Sequence, residues 1–209
     1  MRIIQKCSYA CANNLTLALN ENHQKRSVYY YGFQIVLGSV FKIIILVAAG
    51  LLLGILSPLI LISLCFAALR VLAGGYHMDS YGKCIVVSMV LFVLAGLLAG
   101  YTYMYWSQLH IAVLAGATFI AGLFTIRKYA PRDTPNKPIT DAAEKKKFKT
   151  LSFIYLFVWL PVTLALIYFN LNMYAISLCL GVLLELFSVS DLGHRFFDII
   201  KNRISYKRK

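Results

Sequence analysis

Apolar residues dominate four long stretches of the chain, 85–105, 109–126, 151–169 and 173–189. At 1.5 Å per residue, a helix of about 20 such residues crosses the roughly 30 Å hydrocarbon layer of a bilayer. A fifth stretch, 43–69, is longer and is interrupted by Gly54 and by Ser57-Pro58. It reads either as one crossing or as two inserted segments, 34–56 and a short 58–72 that crosses or re-enters. Ahead of these runs Ile4, Cys7, Cys11, Leu15 and Ala18 recur every three or four residues without forming a continuous apolar core. That spacing predicts an amphipathic helix, lying on the membrane surface or packed on the protein's own spans, and not a secretory signal.

Composition turns the pattern into a class. Hydrophobic residues make up 60% of the 209 positions and charged residues 14%, and the mean hydropathy is +0.71. A water-soluble domain of that make-up lacks the polar surface to cover itself. The expected architecture is an all-α integral membrane protein, a polytopic bundle with six membrane-inserted segments and an interfacial N-terminal helix. Residues 1–27 form the amphipathic segment of this scheme and 28–209 the membrane domain.

Charge supplies orientation. Lys and Arg number 21 against 8 Asp and Glu, a formal net charge of +13. The basic residues sit between apolar runs, as the positive-inside rule produces, and no nucleic-acid-reading module accompanies them. No nucleic-acid partner is therefore expected. Residues 127–149 hold eight Lys or Arg and residues 195–209 hold six, which assigns both to the cytoplasmic face. The two runs between them turn at Asn170-Leu171-Asn172. Walking back from Arg127, 109–126 leads outward to Trp106-Ser107-Gln108 and 85–105 returns inward, so His77 and Cys84 fall on the cytoplasmic side. Arg2, Lys6, Lys25 and Arg26 place the N-terminus there too, which favours two inserted segments between 28 and 72 over one. Three of the five prolines lie in 127–149 and exclude a continuous helix across it, leaving a short helix starting at 140–144 with Thr140 or Asp141 as cap.

Candidate chemistry narrows to one place. Cys65 and Cys179 lie inside apolar runs and read as small hydrophobes, and Cys7 and Cys11 share one helix face. No HExxH, CxxC pair or phosphate-cradling glycine loop occurs, so no metal or nucleotide cofactor is expected. What remains is the polar break "GGYHMDSYGKC", Gly74 to Cys84. On a straight helix His77 and Cys84 would share a face but stand about 10.5 Å apart along the axis, whereas a general base needs roughly 2.6–3.2 Å to its proton. Gly74, Gly75 and Gly82 weaken helix here, and Asp79 or Ser80 is a credible N-cap. A helix starting there sets Cys84 near the positive end of the helix dipole, beside Lys83, which favours the thiolate. His77 would then fold back from the preceding turn.

These residues resemble a known family. "RVLAGGYHMDSYGKC", with Arg70, Gly74-Gly75, His77 and Cys84, is similar to the signature of the accessory gene regulator protein B (AgrB) family, membrane cysteine endopeptidases of Gram-positive quorum-sensing systems. A second element, "APRDTPNKPI" at 130–139, resembles that family's Ala-Pro…Asn-Lys-Pro segment. Met78 is bulkier than the small residue that usually follows the histidine. The resemblance implies cleavage of an AgrD-like, membrane-associated propeptide through a thioester on the enzyme, followed by ring closure to a thiolactone or lactone. It implies Cys84 as nucleophile and His77 as base, with Arg70, Gly74 and Gly75 shaping the site, and Lys137, Pro138, Lys145, Lys146 and Lys147 on the substrate side. It further implies a multi-pass cell-membrane location and a homodimer. The residues alone also admit a peptide exporter or transporter without proteolytic activity, or a receptor or scaffold. Lys42 and Glu185, the intramembrane charges that would favour transport, both lie near the ends of their runs.

Overall fold

The computed structural model describes residues 2–76, 78, 81–132 and 141–206. Among these residues the chain forms eight α-helices and no β-strand: α1 (Arg2–Ala18), α2 (His23–Leu52), α3 (Leu56–Ala73), α4 (Tyr81–Thr102), α5 (Gln108–Tyr129), α6 (Ala142–Tyr168), α7 (Asn172–Val189) and α8 (Asp191–Tyr206). A single 3-10 turn, Tyr103–Tyr105, extends α4. Helices α2 to α7 are each long and apolar enough to cross a membrane, giving six segments where the sequence admitted five or six.

The ambiguous stretch divides at Gly54, whose φ of +65° ends α2. The N–H of Ile55 closes the turn onto the Gly50 carbonyl at 2.9 Å. Pro58 then falls in the first turn of α3, where a missing N–H breaks no helical bond. The 30 residues of α2 amount to about 45 Å of helix, more than a bilayer core needs. Its first turn accordingly carries His23, Lys25 and Arg26.

One part of the basic segments differs from expectation. The helix capped in 127–149 is not short: Asp141 accepts the N–H of Ala143 at 2.9 Å, and α6 runs from there straight into the apolar span. Once capped, the chain has nothing to stop it before the apolar run begins. The tail beyond α7, read from the sequence only as basic, forms a further helix. Ser190 accepts the N–H of Gly193 at 3.1 Å and so starts α8, whose Phe197 is buried.

Residues 1–49 and 50–209 form two compact units. In the first, α1 buries Ser8, Ala12 and Thr16 in one stripe. The two hydroxyls donate to the carbonyls of Ile4 and Ala12, each at 2.7 Å. Cys7 and Cys11 are exposed, so the packed face is not the one the cysteines mark. The Tyr9 ring meets Tyr30 edge-on at 6.2 Å, and the Arg26 guanidinium lies 5.4 Å over Tyr9.

In the second unit α7 is the central helix, packed by α3, α4, α5 and α6. Eleven of its 18 residues are buried, against five of 18 in α3. Gly181 permits this, because a Cβ there would meet the Ile62 carbonyl at 2.7 Å and Cys65 Cβ at 2.8 Å. Close approach at small residues is how helices gain packing in lipid, which offers no hydrophobic drive between them. The outward faces stay apolar, with Val86, Val90, Leu94 and Leu98 exposed along one side of α4, as a lipid-facing surface requires and water would not tolerate.

One end of this unit is fastened by neutral groups. Gln108 Nε2 donates to Asn170 Oδ1 at 2.7 Å, the Tyr101 hydroxyl to the Leu53 carbonyl at 2.9 Å, and Trp106 Nε1 to Thr102 Oγ1 at 3.1 Å. Tyr103, Tyr105, Trp106, Tyr168 and Phe169 cluster there, the aromatic belt of a membrane interface.

Candidate functional site

The opposite end gathers the C-termini of α3, α5 and α7, the N-termini of α4 and α6, and the start of α8. Helix α3 stops because Gly74 takes φ +76° and Gly75 φ +132°, conformations that L side chains rarely adopt. Space imposes the same choice. A Cβ on Gly74 would collide with the Arg132 carbonyl, and one on Gly75 with Arg70 Nη1 and, at 2.6 Å, with Ser188 Oγ.

The two glycines let three strands of backbone converge. Arg132 donates its N–H to the Ala73 carbonyl at 2.9 Å, forming a parallel bridge with Gly74. Tyr76 donates its N–H to the Ser188 carbonyl at 3.1 Å. Arg70, on the last turn of α3, donates from Nη2 to the Tyr76 carbonyl and from Nη1 to Ser188 Oγ at 2.6 Å. Ser188 in turn donates to Glu185 Oε2 at 3.0 Å. Glu185 is fully buried, and its Oε1 lies 3.7 Å from Arg70 Nη1; at that distance charge couples the pair, not a direct hydrogen bond.

Helix α8 closes over the segment from the other side. The Tyr76 hydroxyl donates to Asp198 Oδ1 at 2.7 Å, while its ring stacks on Phe197 at 5.2 Å and meets His194 edge-on at 5.0 Å. Burial pushes the His194 imidazole below the ordinary histidine value, favouring the neutral ring. Arg132 Nη1 bonds the Val189 carbonyl at 2.8 Å and Asp191 Oδ1 at 2.9 Å. That bond to Arg132 holds the Asp191 carboxyl below the usual carboxylate range.

Arg70, Gly74 and Gly75 are thus brought together with residues from three other elements. Cys84 sits on the first turn of α4, half-buried, and α4 packs against both α3 and α7. Gly75, Tyr76 and Met78 are not helical, so no unbroken helix joins residue 77 to residue 84. Lys145, Lys146 and Lys147 ride exposed on the first turns of α6. His77, Asp79, Ser80, Lys137 and Pro138 lie outside the described residues. Among the described residues no cluster of His, Cys, Asp and Glu is arranged to hold a metal ion. Sequence reasoning missed Tyr76, Arg132, Ser188 and the face of α8, and weighed Glu185 only as a charge that would favour transport. One signal was available: Glu185 is the lone acid in an apolar run, and Ser188 follows it by three residues, on the same helical face.

The chain is similar to several known proteins. The family described as Accessory gene regulator B matches residues 8–189. A Clostridium perfringens protein named as AgrB-like is 24% identical over 200 residues, covering 92% of this chain and 94% of that protein. One from Halalkalibacterium halodurans, also named as AgrB-like, is 28% identical over 91% of this chain and 89% of its own length. The accessory gene regulator protein B of Staphylococcus saprophyticus is 30% identical over 61% of this chain and 65% of its own. No solved structure matches the chain.

Proposed function

The chain belongs to the accessory gene regulator B family, and on that premise we propose that it is a membrane cysteine endopeptidase of a quorum-sensing system, acting on an AgrD-like propeptide. Cys84 is the nucleophile and His77 its base. The thiolate attacks the scissile carbonyl, and the tetrahedral intermediate collapses as His77 returns its proton to the departing amine. The N-terminal part of the peptide remains on Cys84 as a thioester. A cysteine or serine within the peptide then attacks that thioester, gives its proton to the base, and leaves as a thiolactone or lactone while Cys84 is regenerated as a thiol.

The observation that carries this reading is the break between α3 and α4, which sets Cys84 on a helix's first turn at the end of the bundle where Arg70, Arg132 and the α6 lysines collect. Exchanging one thioester for another changes bond energy little, so ring closure depends on keeping water from the acyl-enzyme. Holding the peptide's own nucleophile beside the thioester gives it a large effective concentration. Backbone N–H groups at Gly82 to Cys84 are the natural donors for the developing oxyanion. The α6 lysines attract an acidic propeptide tail. The positive-inside rule puts this end, with both termini, in the cytoplasm. Residues 1–27 serve as a surface segment, and 70–84 and 127–149 as the working parts of the membrane domain 28–209.

Co-expression with the short peptide encoded beside its gene tests the proposal. Wild type should yield a cleaved, cyclic product by mass spectrometry, and Cys84→Ala and His77→Ala should yield none. Peptide still cleaved in the Cys84→Ala preparation would overturn the cysteine-endopeptidase reading.

A further inference from the structure

A charged residue inside a spanning helix is costly, and it persists where it does something. Glu185 is such a residue, and neither the nucleophile nor the base of the proposed chemistry requires it. It is fully buried, and its charge faces Arg70 at 3.7 Å. Its other oxygen accepts from Ser188 Oγ at 3.0 Å, and that same oxygen of Ser188 accepts from Arg70 at 2.6 Å. Arg70 spends its second nitrogen on the Tyr76 carbonyl, the carbonyl of the peptide bond that leads into His77. The Ser188 backbone carbonyl holds the Tyr76 N–H at 3.1 Å, so Tyr76 is gripped on both sides of its backbone by one charge-linked group.

Rigidity alone would not call for a buried acid here. A neutral side chain at 185 would fill the same volume, and replacing a buried ion pair with neutral groups is often neutral or stabilising. What the acid supplies is orientation. It draws the Arg70 guanidinium inward from the end of α3, so that one nitrogen reaches Ser188 and the other the Tyr76 carbonyl. A planar fork held at both tips transmits direction where a lone hydrogen bond would swivel. Gly75 has no Cβ because the fork passes through that space.

We propose that Glu185 is a positioning residue: through Ser188 and the Arg70 fork it fixes the Tyr76 peptide, the backbone link from which the chain enters the segment carrying the proposed base. The inference rests on the cysteine-endopeptidase reading above. Small displacements of a catalytic group far from the substituted site are enough to cost turnover without costing binding.

The test uses the full chain in lipid nanodiscs with the neighbouring propeptide, measuring kcat, KM and thermal melting. Glu185→Gln should lower kcat by roughly 30-fold while KM stays within about twofold. Because that variant leaves Arg70 without its partner, the double variant Arg70→Gln/Glu185→Gln is the sharper one. It should recover melting to near wild type and still show the low kcat. Recovery of kcat together with melting would make the pair merely structural and overturn the proposal, as would a wild-type kcat in Glu185→Gln. Ser188→Ala removes the hydroxyl that accepts from Arg70 and donates to Glu185; it should melt below wild type, with kcat down about 10-fold and KM within about twofold, and an unchanged kcat would equally overturn it. Cys84→Ala in the same preparation separates the two levels. If it still cleaves, the endopeptidase reading has failed; if it is inert while the Glu185 and Ser188 variants turn over normally, only the positioning role has.

Discussion

The two ends of the bundle built from α3 to α7 solve the same problem in opposite ways. At the Trp106 end the connections, residues 53–55, 103–108 and 169–172, contain no charged residue, and they are joined by neutral bonds such as Gln108 to Asn170 at 2.7 Å. At the Gly74 end the connections are joined by Arg70, Arg132, Glu185 and Asp191. Arg70 and Arg132 each bond two partners there, including the backbone carbonyls of Tyr76 and Val189, so the second end over-determines its backbone. That is what a segment held at φ +76° and +132° needs, and what a simple turn between spans does not. One end only returns the chain, and the other end positions something.

Substitutions at the two ends should therefore differ in kind. The largest effect is expected at Gly75, where an alanine Cβ would strike both Arg70 and Ser188. Gly75→Ala should reduce propeptide cleavage by about 100-fold or more, read by mass spectrometry of the products, and near-normal cleavage would show that the convergence there is not needed. Next in size is the triple change of Lys145, Lys146 and Lys147 to Gln on the outer turns of α6. It should raise KM several-fold more than it lowers kcat, most clearly at low salt where exposed charges are least screened. Unchanged kinetics at low salt would remove the docking role.

Acidification probes α8. The His194 value is depressed by burial, so its contribution to the docked state is whole above the ordinary histidine value and declines as pH falls from about 6.5 toward the lower folded value. Hydrogen exchange in α8 should be faster at pH 5.5 than at pH 7.5, and His194→Gln should flatten that difference. Asp191, lowered by Arg132, loses its contribution only at pH values below the ordinary carboxylate range, outside this window. The smallest effect is expected at the neutral end. Gln108→Ala should cost about 1 kcal/mol, seen as a modest drop in melting temperature, with cleavage unchanged; a loss of turnover there would erase the contrast between the ends.

How far the sequence revealed this arrangement follows from what each feature depends on. Hydrophobic length and the placement of Lys and Arg are local properties, and they located four of the six spans closely and parsed the stretch around Gly54 into the right pair. The helix break before Cys84 was legible for the same reason, since glycines act on their own neighbours. The charge network was not. Glu185 and Arg70 are 115 positions apart, and a lone acid near the end of an apolar run looks the same whether it faces solvent or a guanidinium. The reach of α6 back to Asp141 and the folding of the tail into α8 were missed because basic residues suit a loop and the polar turns of a helix equally well. The buried stripe of α1 runs through Ser8 and Thr16 because a hydroxyl bonded to its own helix, at 2.7 Å here, packs as a small residue.

The most direct test of the account is the intact mass of the purified protein after co-expression with its neighbouring propeptide. A peptide-sized adduct, released by hydroxylamine, present in wild type and absent in Cys84→Ala, is the result expected of a thioester held at the start of α4. Cleaved propeptide in the Cys84→Ala preparation would contradict it.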